Sequence, residues 1–167
     1  MDTTQKVSLD VLIEIPKGSR NKYEYDHTLN MIRFDRKLFS PVHYPTDYGF
    51  FPNTLGEDGD PLDAMVLVTA PTFPGCLIEV RPVAMLKMFD EKGPDAKILC
   101  VPVTDPHWSH VKDMKTVNPH MIVEIGHFFQ VYKDLEKKKV GIEGWHDVDV
   151  AIEEIKQAQI RFKEQGH

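Results

Sequence analysis

Alternating apolar and polar residues predict β-structure through the first two thirds of the chain. Over residues 7–15 the apolar positions recur at every second residue apart from Leu12, so Glu14 is expected to point away from the apolar row. Residues 16–21 have the composition of a turn, and residues 22–26 alternate again. This pattern predicts that the first two strands form a hairpin-like pair. Further strands are predicted at residues 31–34, 64–68, 77–88 and 97–103.

The hydrophobic period becomes helical in the last third of the chain. Asn118 is suited to cap a helix and Pro119 to begin it, which predicts a helix over residues 119–136. Asp147 is suited to cap a second helix, whose apolar positions are Val148, Ile152, Ile155 and Phe162.

Strands followed by helices indicate an α+β fold. Closing the strands into a ring removes exposed sheet edges, so we expect a small closed OB-like β-barrel of about five main strands, with the two C-terminal helices packed on it. We find no internal repeat or linker, and a single domain over residues 1–167 is expected.

Composition narrows the functional classes. The chain has 167 residues, 41% of them hydrophobic, and a formal net charge of -6, which argues against a nucleic-acid partner. Cys76 and Cys100 suit neither a zinc cluster nor a disulfide framework, and we interpret them as core thiols. No secretory signal or bilayer-length apolar run is found, so a cytoplasmic protein without membrane contact is expected.

Residues 57–63 form the most informative segment, with aspartates at positions 58, 60 and 63. In an extended chain, residues two apart share a face at about 7 Å, close enough for two carboxylates to bind one cluster of hard cations. An ordinary acidic turn is the alternative, since Asp-Gly and Asp-Pro pairs favour turns. An EF-hand is excluded because its sixth position must be glycine, where this chain has Asp63.

Residues 90–97 form a second acidic cluster that ends on Lys97. By itself it could be a solvated hairpin tip, but beside the first cluster it would supply carboxylates for more than one metal ion and a cation for phosphate. Arg36 offers a planar fork for phosphate, and tyrosine hydroxyls near residue 46 offer donors. Aromatic core packing is the favoured interpretation for Phe50 and Phe51. A solvated helical lysine is the alternative for Lys133.

These segments, taken in order, resemble the family I soluble inorganic pyrophosphatases in their short prokaryotic form. The resemblance covers nearly the whole chain and rests on residues 13–24, 58–63, 87–90, 132–136 and 143–145. It implies an Mg²⁺-dependent inorganic diphosphatase that hydrolyses pyrophosphate to two orthophosphates, through direct in-line attack of a metal-activated water. It also implies several Mg²⁺ ions in each active site and a homohexamer built as a dimer of trimers.

The resemblance also implies a role for each matching residue. Asp58, Asp63 and Asp95 would hold the activating metals, Asp90 would join Asp95 on Mg²⁺ brought with the substrate, and Glu14 would lie at the edge of the cluster. The implied substrate-binding residues are Lys22, Arg36, Tyr48, Lys97, Tyr132 and Lys133, with Tyr44 in support. The implied catalytic residues are Lys22, Glu24, Arg36, Tyr48 and Asp60, of which Asp60 would help to deprotonate the attacking water. Seven carboxylates and four cations leave this set at a net charge of -3, so metal loading should precede substrate binding.

Two other classes of function remain open at this point. One is a binding module that uses the acidic loops for Ca²⁺, or its tyrosines and lysines for nucleic acid; the missing basic aromatic stripe counts against the second version. The other is a broader magnesium phosphohydrolase acting on nucleotides, although we find no Gly-rich phosphate loop. His107 and His110 have helical spacing, but we interpret them as surface residues because a carboxylate-rich site selects hard cations.

Overall fold

A computed structural model describes residues 9–165, which form eight strands, two α-helices and three short 3-10 helices. The strands are β1 (Leu9–Ile15), β2 (Asn21–Asp26), β3 (Met31–Lys37), β4 (Asp47–Phe50), β5 (Asp63–Val66), β6 (Leu77–Asp90), β7 (Gly93–Pro102) and β8 (Gly141–Asp147). The α-helices are α1 (Pro119–Val131) and α2 (Val148–Gln165). The 3-10 helices are Pro106–Trp108, Met114–Thr116 and Asp134–Glu136.

Six strands form one sheet in the order β1-β4-β5-β7-β6-β8, and β1 also pairs with β6. The second pairing closes β1, β4, β5, β7 and β6 into a ring and leaves β8 outside it on β6. Within this sheet β5 and β7 are parallel and the other pairs are antiparallel. The predicted α+β fold with a five-stranded closed barrel is confirmed.

The predicted pairing of the first two strands is wrong. Strand β1 bonds to β4 on one edge and to β6 on the other, so it has no free edge for β2. Strand β2 pairs instead with β3 in a separate two-stranded sheet, which we call the β2–β3 hairpin. The first two positions predicted for β1, Val7 and Ser8, lie outside the described residues.

The alternating pattern of β1 matches its burial. Val11, Ile13 and Ile15 are fully buried, whereas Glu14 is half-buried on the other side of the strand. Pattern analysis missed β4 and β8 because β4 has only four residues and glycines interrupt both strands. In β4, Gly49 is required by close packing, since a Cβ atom there would lie 1.9 Å from the carbonyl oxygen of Leu12.

The two predicted helices are present, with one changed boundary. Asn118 caps α1, its side chain accepting a hydrogen bond from the backbone N–H of His120 at 2.9 Å. Helix α1 ends at Val131, so the prediction of helix through residue 136 is wrong; the chain continues as a 3-10 turn over Asp134–Glu136. Asp147 accepts from the N–H of Val148 at the start of α2 at 2.7 Å.

Both helices pack on the sheet through separate apolar clusters. One cluster joins α1 to the barrel through residues such as Ile125 and Phe129, and the other joins α2 through Ala151 and Ile155. Cys100 is fully buried. Cys76 is only partly buried, so its interpretation as a core thiol holds in part. Neither α1 nor α2, the two α-helices within residues 9–165, is long and apolar enough to cross a membrane.

Candidate active site

All fourteen residues predicted to form the site line one cleft of about 420 Å³. Its walls come from β1, the β2–β3 hairpin, β4, the 58–63 loop, the β6–β7 turn and the end of α1. The residues brought together are Glu14, Lys22, Glu24, Arg36, Tyr44, Tyr48, Asp58, Asp60, Asp63, Asp90, Asp95, Lys97, Tyr132 and Lys133.

Lys97 lies at the centre of the acidic part of the cleft. Its Nζ atom is 3.0 Å from Asp63 Oδ2, 3.2 Å from Asp95 Oδ2 and 2.7 Å from the hydroxyl of Tyr48. The parallel pairing of β5 with β7 places Asp63 opposite Lys97, so the two side chains share a face. Burial by itself disfavours the ammonium, but Asp63, Tyr48 and Asp95 outweigh it and raise the pKa of Lys97 well above its usual value.

The cleft carboxylates are poorly solvated. Burial raises the pKa of Asp63 to about 6, with Lys97 opposing the rise. Burial also raises the pKa of Glu14 to about 7, although the backbone N–H of Tyr25 donates to its Oε2 at 2.7 Å. The pKa of Asp58 is raised as well, again mainly by burial. A cation bound among these crowded, partly buried carboxylates would stabilise their ionised form and lower their pKa values.

The donor set fits a hard divalent cation, because every candidate ligand supplies carboxylate oxygen. Within residues 9–165, however, no three acidic, histidine or cysteine side chains already stand close enough together to hold a metal ion. Lys97 lies between Asp63 and Asp95, and Asp58 Oδ1 accepts from the N–H of Asp60 at 3.0 Å. Metal binding at these carboxylates would therefore require their side chains to rotate.

The β2–β3 hairpin places two cations side by side. Lys22 and Arg36 are directly opposite each other in its register, an arrangement that like charges disfavour unless an anion lies between them. Asp35 supplies that anion, with Oδ2 at 3.1 Å from Lys22 Nζ and in contact with Arg36 Nη1. Lys22 also lies 2.5 Å from Glu24. Asp35 was not predicted to belong to the site, and its only signal in the sequence was its position next to Arg36.

Tyrosines form the apolar floor of the cleft. Tyr44 lies with its ring centre 5.5 Å from Tyr48 and 4.7 Å from Phe128, and Phe128 is 5.3 Å from Tyr132. Burial raises the pKa of Tyr132 to about 12 and holds those of Tyr44 and Tyr48 well above their usual value. The three phenols therefore stay protonated at neutral pH and can donate hydrogen bonds to an anion.

Lys133 follows Tyr132 at the end of α1. Burial, together with the nearby charges of Lys97 and Lys22, lowers its pKa. No carboxylate lies within ion-pair distance of Lys133 in the part of the chain that the structure describes. It is thus a cation available to a bound anion, and not an ordinary solvated helical lysine.

Asp60 is the exposed aspartate of the 58–63 loop. Gly59, at a positive φ of 87°, turns the chain before it, and Asp60 Oδ2 lies 3.8 Å from Lys92 Nζ with both side chains more than 60% exposed. Solvent therefore reaches Asp60, whereas Asp63 is held against Lys97. Lys92 was inside the acidic segment noted from sequence but received no role.

Other residues of the cleft wall were also missed. They are Ile15, Tyr23, Tyr25, His27, Phe50, Pro61, Glu91, Lys92 and Lys138. Ile15, Tyr23, Pro61, Glu91 and Lys92 lie inside the motif segments but were assigned no role, and the others lie outside them. Phe50 and Phe51 are buried, as predicted, and His107 is exposed with 73% of its side chain open to solvent.

A ring of five strands with a cleft of carboxylates beside lysines, an arginine and protonated tyrosines defines a class of protein. It is an α+β barrel whose cleft offers hydrogen-bond donors for an oxyanion beside oxygen ligands for divalent cations.

Comparison with known proteins identifies the family. The model of the inorganic pyrophosphatase family matches residues 11–163. The inorganic pyrophosphatase of Methanosarcina mazei is 61% identical over 155 residues, which cover 93% of this chain and 92% of that protein. That of Streptomyces coelicolor is 56% identical over 162 residues, covering 96% and 99%. The chain belongs to the inorganic pyrophosphatase family.

Solved structures agree with this assignment. The crystal structure of the inorganic pyrophosphatase from Thermus thermophilus matches with a TM-score of 0.91 and 45% identity, covering 98% of this chain and 95% of that one. The resemblance to family I and the prediction of an inorganic diphosphatase are confirmed. The family also supports a divalent metal cofactor in general.

Proposed function

We propose that this chain hydrolyses inorganic pyrophosphate to two orthophosphates, with Mg²⁺ as the cofactor and with water as the direct, in-line nucleophile. The observation that carries the proposal is the meeting of fourteen motif residues in one cleft of a chain that belongs to this family. The cleft combines the two features the reaction needs, namely oxygen ligands for cations and donors for phosphoryl oxygens.

The basic and phenolic residues bind and orient the substrate in this proposal. Lys22, Arg36, Tyr48, Lys97, Tyr132 and Lys133 would hold the two phosphoryl groups, with Glu24 and Tyr44 in supporting positions. Arg36 can contact two phosphate oxygens through its planar fork, and the lysines act as point charges. Fixing both phosphoryl groups leaves one phosphorus open to attack from the side opposite the departing phosphate.

The acidic residues divide into metal ligands and a proton acceptor. Asp58, Asp63 and Asp95 would hold the activating ions, Asp90 would join Asp95 on ions that arrive with the substrate, and Glu14 would lie at the edge. When bound, Mg²⁺ would supply positive charge that offsets the carboxylates and lowers the pKa of water toward about 7.

Asp60 would accept the proton of the attacking water, a role that its exposure to solvent supports. Lys22 and Arg36 would stabilise the charge that develops on the departing phosphate. Among the described residues that line the cleft there is no serine or cysteine, which favours direct attack by water over a covalent intermediate through either residue.

Three further expectations belong to the same proposal: one domain over residues 1–167, a cytoplasmic location, and a homohexamer built from two trimers. The homohexamer is inferred from the family resemblance.

The decisive experiment measures phosphate release from pyrophosphate with and without Mg²⁺, with ATP as a parallel substrate and Asp60→Asn as the test variant. Asp10→Asn is the matched control, since Asp10 is exposed on β1 and lies outside the cleft. We expect Mg²⁺-dependent release from pyrophosphate alone, lost in Asp60→Asn and unchanged in Asp10→Asn. Full activity in Asp60→Asn would remove Asp60 from its role, and no release by the folded protein at any Mg²⁺ concentration would overturn the function.

A further inference from the structure

The β2–β3 hairpin is a separate two-stranded sheet, and its side chains contact the barrel, with Tyr25 and His27 lying against Phe50. Its strands pair with each other and not with the six-stranded sheet. The backbone N–H of Leu38 donates to Arg20 O at 2.8 Å where the hairpin closes, and that of Tyr25 donates to Glu14. The hairpin nevertheless carries Arg36, whose guanidinium must be placed accurately if it is to bind a phosphoryl group.

Glu136 contacts Arg36 from outside the cleft. Arg36 Nε lies 2.8 Å from Glu136 Oε1, and the Glu136 side chain is only 5% exposed whereas that of Arg36 is 23% exposed. Neither Arg36 Nε nor Glu136 Oε2 has an aligned hydrogen-bond partner within the described residues, so the contact is a close ion pair with imperfect alignment. A carboxylate this deeply buried is stable only when a cation accompanies it.

The other two nitrogens of the Arg36 guanidinium, Nη1 and Nη2, differ in their contacts. Arg36 Nη1 contacts Asp35, and Nη2 donates no hydrogen bond within residues 9–165. With Nε held by Glu136 and Nη1 held by Asp35, the guanidinium plane is defined from two sides. The Nη2 donors are left for an anion in the cleft.

Glu136 also belongs to the same turn as a second cation of the cleft. Its backbone N–H donates to the carbonyl oxygen of Lys133 at 3.0 Å in the 3-10 turn that follows α1. The residue therefore ties the hairpin cation Arg36 to the helix-end cation Lys133, although the two come from distant parts of the chain. Glu136 itself does not line the cleft.

We propose that Glu136 is a positioning residue, which fixes the Arg36 guanidinium relative to Lys133 so that both meet the same pyrophosphate. The inference rests on the proposed function and extends it to a residue outside the cleft. Glu136 acts only through Arg36 and touches no substrate atom.

The test is a double-mutant cycle on kcat/KM for pyrophosphate, with Glu136→Gln, Arg36→Ala and the double variant. Glutamine keeps the size of the side chain but removes its charge. We expect Glu136→Gln to lower kcat/KM by about 100-fold, the effect of a small misplacement of a catalytic group. In the Arg36→Ala background the same change should alter kcat/KM by less than about twofold, since coupled residues are not additive.

Two variants separate positioning from simple support of the fold. Glu136→Asp keeps the charge and should recover part of the loss, and Glu143→Gln is the matched control, an exposed carboxylate 3.9 Å from Lys87 and outside the cleft. Thermal unfolding of each variant identifies any that is not folded, and Glu136→Asp then replaces Glu136→Gln in the cycle. Equal losses in the two backgrounds, or wild-type kcat/KM in Glu136→Gln, would overturn the inference.

Calorimetry with imidodiphosphate, a pyrophosphate analogue with a bridging NH group, measures binding without hydrolysis. It therefore tests the role of Glu136 separately from the proposed function. If the wild-type protein releases no phosphate, the function fails, but the binding measurement still reports on Arg36. A dissociation constant about tenfold higher in Glu136→Gln supports the positioning role. Equal constants in the two proteins, or no binding by the wild type, contradict it.

Discussion

Replacing Glu14 by glutamine should change how the stability of the metal-free protein depends on pH. Glu14 is half-buried on β1, and burial raises its pKa from the usual 4.5 to about 7. Each pKa unit corresponds to about 1.4 kcal/mol, so ionised Glu14 destabilises the fold by about 3 kcal/mol before screening by solvent is considered. Because the side chain is partly exposed, we expect about 2 kcal/mol.

The sign follows from the direction of the shift. A carboxyl whose pKa is higher in the folded state stabilises the fold fully below pH 4.5, and this contribution is lost as the pH rises through 7. Glutamine stays neutral and can still accept the hydrogen bond from Tyr25. The variant therefore does not lose stability as the pH rises through 7 in the way that ionising Glu14 does. Glu14→Gln should therefore be about 2 kcal/mol more stable than the wild type at pH 8 and nearly equal to it at pH 4.5.

Urea unfolding in the presence of a chelator, at several values between pH 4.5 and 8, measures this difference. The raised pKa of Asp63 affects both proteins, so its contribution largely cancels in the difference between their free energies of unfolding. Asp10→Asn, an exposed change on the same strand, should follow the wild-type curve. Parallel stability curves for the wild type and Glu14→Gln would show that burial does not perturb Glu14 as argued.

Three further predictions concern the interior. Lys97→Met should destabilise the metal-free protein by about 3–5 kcal/mol, since two cleft carboxylates lose the buried cation between them; an unchanged Tm would contradict this. Gly49→Ala should cost at least about 1–3 kcal/mol in chemical denaturation, because the new Cβ meets the carbonyl oxygen of Leu12, and wild-type stability would show that the strands separate easily. Burial raises the pKa of the Cys100 thiol, so a disulfide reagent should modify Cys76 first and Cys100 only on unfolding, whereas immediate reaction of both would argue against the burial.

Local patterns in the sequence predicted the features that depend on neighbouring residues. The alternation around Glu14 and the cap at Asn118 are properties of a few consecutive positions, and both match the structure. Helix α1 was drawn too long because the turn after Val131 is 3-10 and keeps nearly helical spacing. The acidic clusters and basic residues indicated part of the site, the family resemblance implied all fourteen residues, and the structure brings them into one cleft.

Only the tertiary structure decided which partners these residues have. Strand β1 could pair with β2 by its sequence, but β4 and β6 occupy both its edges. Asp95 lies two residues before Lys97 on β7, but Asp63 meets Lys97 only because β7 runs parallel to β5, which no short segment encodes. Glu136 meets Arg36 across 100 positions of chain, and its side chain is only 5% exposed there. Burial and long-range pairing arise when distant segments pack, so the sequence predicted the chemical groups of the site and the fold determined their charge states and contacts.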